Sequence, residues 1–126
     1  MITRDEVLMG RDAKWPLSPE LEKNLEKLLA ALNNFRRSYG KPMMVTSGYR
    51  PTAINVLVKN AAKFSNHQKC LACDFADLNG SLGKFCLDNL DLLEAAGLYL
   101  EDPHFTKGWC HLQCVPPGSG RRVFKP

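Results

Sequence analysis

Two short stretches, "LACDF" at residues 71–75 and "WCHLQC" at residues 109–114, alternate in the manner of extended chain. Side chains on a strand point to opposite faces in turn, so Ala72 and Asp74 share one face while Leu71, Cys73 and Phe75 share the other. The same parity groups Trp109, His111 and Gln113 against Cys110, Leu112 and Cys114. Each strand therefore has an apolar, cysteine-bearing face and a polar face that carries an acid or an imidazole. Burying the apolar faces leaves Asp74 and His111 free to meet on the other side.

The segments around these strands are read from period and punctuation. Leu21, Leu25, Leu28, Leu29 and Leu32 make an apolar stripe on a helix that Ser18 caps, Pro19 begins and Gly40 ends. Residues 43–47 read as a short buried strand that places Arg50 just beyond its end, and residues 51–64 hold a short helix. Residues 79–97 read as one long second helix, with Cys86 inside its apolar stripe. Residues 98–101 and 109–114 then form a hairpin around a turn containing Asp102, Pro103, His104 and Gly108. Pairing Glu101 with Trp109 would set Tyr99 against His111 and bring Glu101 diagonally onto the His111 face. His67 would enter the same pocket from the loop before its strand. The basic tail from residue 118 shows no pattern long enough to assign.

Chain length, 126 residues with 44% hydrophobic and 24% charged, suits one globular domain spanning residues 1–126. No apolar run approaches a signal peptide or a membrane span, so a protein made in the cytoplasm, away from membranes and with reduced thiols, is expected. A net charge of +4 leans toward an anionic partner. Basic and aromatic residues are not interleaved on one element, which argues against a nucleic-acid module.

His67, Asp74 and His111 supply an N,O,N set that leaves the fourth position of a tetrahedral zinc open, as catalysis requires. The competing set is Cys70, Cys73, Cys110 and Cys114, whose spacing resembles a structural four-thiolate site. Strand parity opposes it. Cys70 and Cys73 would face opposite ways, and Cys110 and Cys114 would stand about 13 Å apart along extended chain. Buried, apolar thiols are the simpler expectation, with Cys70 left open.

"SNHQKCLACD" followed far downstream by "WCH" resembles the signature of peptidase family M15, S-x-H-x-x-G-x-A-x-D and then W-x-H. Ser65, His67, Ala72, Asp74, Trp109 and His111 fall on the pattern, and "SGYRP" with Asn55 is similar to the segment that precedes it. The resemblance implies a small α+β fold with an antiparallel sheet flanked by helices, of the Hedgehog and D-Ala-D-Ala-peptidase type. It implies a Zn2+ enzyme of bacterial cell-wall peptides with His67, Asp74 and His111 as ligands, and substrate contacts from Arg50, Ser65 and Trp109. Two positions depart from the pattern. Cys70 stands in place of Gly, and Gly108 stands where many members carry a catalytic Glu three residues before the last His. Glu101 is then the expected general base, with Asp102 replacing it if the register slips by one.

The expected function is a monomeric zinc metallopeptidase acting on peptidoglycan stem peptides, either as a carboxypeptidase or an endopeptidase. It would be a phage or prophage lysis enzyme reaching the wall through a separate pore, or a virion-associated one. The alternative is a non-catalytic, zinc-stabilised phage structural protein of the same fold.

Overall fold

A computed structural model describes residues 1–58 and 65–126. The expectation of helix extending from residue 51 to 64 falls partly on residues outside this description; the described part is α3, Thr52–Asn55. Before it come α1 (Arg4–Leu8), a 3-10 turn (Arg11–Ala13), α2 (Pro19–Tyr39) and β1 (Val45–Ser47). After it come β2 (Ala72–Asp77), α4 (Ser81–Asp88), α5 (Leu90–Ala96), β3 (Tyr99–Glu101), a 3-10 turn (Pro103–Phe105), β4 (Gly108–Gln113) and β5 (Val123–Phe124).

The long helix α2 begins and ends as its sequence dictates. Ser18 accepts the Leu21 N–H, Pro19 occupies the first turn, and Gly40 takes a left-handed φ of 74° to close the far end. Its stripe of Leu25, Leu28, Leu32 and Phe35 is wholly buried. The expected second helix is two. Asn89 leaves helical geometry at φ −136°, and its side-chain amide donates to the Phe85 carbonyl, so it ends α4 before α5 begins. The N-terminal α1 had drawn no expectation. Its signal was the box formed by Thr3 and Glu6, whose side chains each bond the other's backbone N–H.

The class is α+β, and the sheet order is β1-β2-β4-β3-β5. β1 with β2, β2 with β4, and β4 with β3 run antiparallel, whereas β5 runs parallel to β3. The sheet is therefore mixed rather than antiparallel throughout. After β4 the chain reverses once and crosses to the free edge of β3, which gives β5 the direction of β3. The core face presents Cys73, Phe75, Cys110 and Leu112 to the helices. The parity read from the sequence holds for both central strands.

One close approach ties α1 to the exit of β1. The Tyr49 N–H donates to the Val7 carbonyl at 2.8 Å, using an acceptor that the end of a helix leaves free. A Cβ added at Gly48 would lie 2.1 Å from that carbonyl oxygen, a contact no side chain tolerates. Gly48→Ala is expected to push α1 off the sheet and cost about 3 kcal/mol in denaturant unfolding. A variant within about 0.5 kcal/mol of the parent, the range of an ordinary surface change, would contradict this. Among the described residues no helix is long and apolar enough to cross a membrane.

Candidate metal centre

The central strand pair builds the site. In the β2–β4 register Asp74 stands directly opposite His111, and their side chains meet at 2.8 Å between Oδ1 and Nδ1. His67 comes from the turn before β2, with Nε2 3.3 Å from Asp74 Oδ2. Among the described residues these three form a group whose potential ligand atoms all lie within 4.8 Å of one another. All three are buried. The two imidazoles pack edge to face at 5.3 Å between centroids.

The turn that delivers His67 is closed by Leu71 N–H donating to the Asn66 carbonyl at 3.0 Å. Ser65 braces it, since its Oγ accepts the His67 N–H and its own N–H donates to Gln68 Oε1. The turn needs a left-handed residue at its end, and Cys70 takes that conformation at φ 57°. This explains why a glycine would suit the position. The Cys70 thiol goes into the core, not to the site, and burial pushes it up to about 12. Cys73, Cys110 and Cys114 are likewise buried and raised, Cys110 first through its hydrogen bond with Cys86 and the other two through burial. All five cysteines are free thiols. The structure does not gather the four-thiolate alternative: among the described residues only His67, Asp74 and His111 come together as a possible metal group, while the thiols are dispersed in the core.

Both imidazoles are oriented by the protein. His67 Nδ1–H donates to the Gly48 carbonyl at 3.0 Å, which turns the Nε2 lone pair toward Asp74. The Gln113 amide donates to the Val115 carbonyl at 3.0 Å, which fixes its Oε1 as the acceptor 2.8 Å from His111 Nε2. His111 must therefore carry its proton on Nε2 when neutral, so its Nδ1 lone pair also faces Asp74. A carboxylate and two nitrogen lone pairs converge on one point, with each ring's remaining N–H held by an acceptor outside the group. Such a donor set fits zinc and its usual outer-shell support.

The electrostatics agree. Burial would raise Asp74, but hydrogen bonds and charge from His111 and His67 outweigh it and hold the carboxyl at about 2. Burial lowers His67, and the pull of Asp74 does not overcome it. For His111 the balance reverses: burial is outweighed by Asp74, with help from Gln113 and Glu101, and the ring is raised above its ordinary value of 6.5. Around the ordinary histidine value the two rings are thus driven apart, His111 toward its protonated form and His67 toward neutral, beside an ionised Asp74. Zinc binding at that pH is expected to release close to one proton per ion, and affinity to fall about tenfold per pH unit toward acid. Calorimetry in buffers of different ionisation heat counts it; release of two would contradict the assignment.

A family model described as peptidase M15 matches residues 4–97. The chain belongs to the peptidase M15 family. No curated protein and no solved structure matches it. The match spans the positions of His67 and Asp74 of this M15 peptidase and stops before β3, so His111 and Glu101 lie outside it.

The remaining expected site residues fall in different places. β3 pairs Leu100 with Leu112, which brings Glu101 level with His111. The expected register was off by two residues, so the face was unchanged and Glu101 is closer to His111 than the diagonal predicted. Glu101 is half-buried, and burial raises its carboxyl despite the opposing charge of His111. Asp102 is engaged elsewhere, its Oδ1 accepting the His104 N–H at the start of the 3-10 turn. His104 is exposed and packs edge-on against Phe105. Arg50 is 8% exposed and lies where it feels the charge of Asp74. Trp109 sits opposite Ala76, two residues before His111 on the same strand. Two contributors escaped the sequence reading. Gln113 was legible as the same-face neighbour of His111, and Phe124, edge-on to His111 at 6.0 Å, comes from the unassigned tail.

Proposed function

We propose that this M15 peptidase is a zinc metallopeptidase that hydrolyses peptide bonds in the stem peptides of bacterial peptidoglycan. The observation that carries the reading is the convergence of the His67 and His111 lone pairs on Asp74, each ring set by an acceptor behind it. His67, Asp74 and His111 would hold the ion. Bound zinc supplies Lewis acidity for a scissile carbonyl and lowers the pKa of water toward 7.

Glu101, level with His111 and with a raised carboxyl, accepts the proton of the attacking water and returns it to the leaving amine. Ser65 keeps the His67 turn in place. Arg50, buried and without an ion-pair partner among the described residues, offers a guanidinium to a substrate carboxylate, and stem peptides are rich in these. Trp109 supplies an aromatic wall on the same face. A phage or prophage lysis role, with release to the wall through a separate pore or carriage in the virion, completes the proposal.

Digestion of purified peptidoglycan by the zinc-loaded protein, read by mass spectrometry of the muropeptides, is the test. New amines on D-Glu would indicate an L-alanyl-D-glutamate endopeptidase, and free D-Ala a carboxypeptidase. A second reading rests on Gly108, which takes φ 89° where many members carry the catalytic Glu. A zinc-stabilised structural protein of the same fold would retain the metal and release nothing.

A further inference from the structure

The three residues that leave β1 each hold another part of the molecule through their backbone. The Gly48 carbonyl takes the His67 ring, and the Arg50 N–H donates to the His67 carbonyl at 3.0 Å. Between them, the Tyr49 carbonyl accepts from Arg11 Nη1 at 2.8 Å. Arg11 is thus anchored one residue before Arg50, on the segment that orients a zinc ligand. It arrives there because Met9 and Gly10 both take left-handed backbone, at φ 57° and 74°, and swing the chain into the turn that begins at Arg11. Met9 Sδ accepting the Gly48 N–H, and Tyr49 Oη donating to the Trp15 carbonyl, fasten the same segment on either side.

Arg11 is thus held on the carbonyl of the residue that precedes Arg50 in the chain. Burial lowers Arg50 from the ordinary arginine range, and the charge of Arg11 works in the same direction against the pull of Asp74. Asp74 is committed to the two histidines. Among the described residues no carboxylate makes an ion pair with Arg11 or Arg50. Arg50 Nε is buried with no hydrogen-bond partner. A buried, unfilled donor beside a second cation is unfavourable unless an anion completes the arrangement. The guanidinium fork matches a carboxylate, and Arg11 has further N–H groups beyond the one given to Tyr49.

We propose that Arg11 and Arg50 together form a two-armed site for a free carboxylate of the substrate, with Arg50 as the inner arm and Arg11 as the outer. The peptidase then selects peptides that carry a carboxylate next to the scissile bond. This deepens the peptidase reading and rests on it, while adding a recognition residue from the N-terminal segment.

The test is equilibrium binding, by calorimetry on the zinc-loaded full chain, of a synthetic stem peptide with free carboxylates and of the same peptide with every carboxylate amidated. Cleavage is followed in parallel by mass spectrometry. The unaltered protein is expected to favour the free form by roughly tenfold or more, the scale of a charge-assisted hydrogen bond. Arg11→Gln removes the charge and leaves a shorter, neutral side chain with an amide donor. It should weaken the free peptide roughly tenfold, through Kd and KM rather than kcat, and leave the amidated peptide within about twofold. Arg11→Lys should restore part of the loss. Equal weakening of both peptides, or of neither, overturns the proposal. Equal binding of the two by the unaltered protein, or no binding of either, overturns it without any variant. Carboxylate-selective binding with no bond cut would sink the peptidase reading and leave the two-arginine site standing; cleavage without selectivity would do the reverse.

Discussion

Asp74→Ala is expected to lower zinc affinity by more than about 100-fold, beyond the loss usual for an outer-shell partner. Asp74 is the member of the group whose carboxylate makes a polar contact with both others, at 2.8 Å to His111 and 3.3 Å to His67. Its removal takes away the sole anionic ligand and the charge that aligns the second ring. Two neutral imidazoles would remain, 5.3 Å apart between centroids and each tied at its rear to Gly48 or Gln113. Metal content after dialysis should fall from one zinc per chain to near zero. The rise in thermal midpoint that zinc gives the parent should vanish with it, since only binding to the folded state produces that rise. A variant that keeps one tightly held zinc would show that the ion sits elsewhere.

Glu101→Gln should leave zinc content and KM unchanged and reduce kcat by about 10²- to 10⁴-fold, the range for loss of a positioned acid–base group. The amide matches the carboxylate in size, so the opposition of Glu101 to His111 persists while proton transfer is lost. Asp102→Asn is the matched control, because that side chain caps the following turn and should cost only a few-fold. The pH profile carries the sign. Burial raises the Glu101 carboxyl from its ordinary 4.5, so the unprotonated form that acts as base is lost as pH falls through this raised value. The acid limb of kcat/KM is expected above pH 4.5 in the parent and absent from the residual activity of Glu101→Gln. Retention of kcat within a few-fold would remove Glu101 from the mechanism.

What could be read in advance follows from the range of the interaction involved. Face parity is local, so the alignment of Asp74 with His111 was legible from alternating residues alone. Register is not local. The turn between β3 and β4 takes up residues in a 3-10 segment, Pro103–Phe105, and shifts the pairing by two. The face survived because strand side chains repeat every second residue. The break at Asn89 depends on a side-chain amide outcompeting a helical bond, which an apolar stripe does not reveal. Gly48, Arg11 and Phe124 gain their roles from contacts across 41, 38 and 13 positions of chain, counted to Val7, Tyr49 and His111, and no local pattern announces those. Cys70 was recognised as standing in place of a glycine; its left-handed φ supplied the backbone reason, and its burial in the core removed the thiol from the site.

The opposition of Asp74 and His111 on neighbouring strands has a consequence for when the protein becomes itself. The two residues lie 37 positions apart, and β4 occupies the middle of the sheet with β2 on one side and β3 on the other. A folding chain can shape the His67 turn early from short-range bonds, but the second imidazole arrives only when β4 inserts and closes a long loop, a step whose entropic cost makes it slow. A partly assembled sheet therefore lacks the grouped His67, Asp74 and His111, and a zinc ion held by them would join last, across a seam already formed. Hydrogen exchange should consequently slow most on zinc addition along β2 and β4, making the metal a reporter of completed assembly.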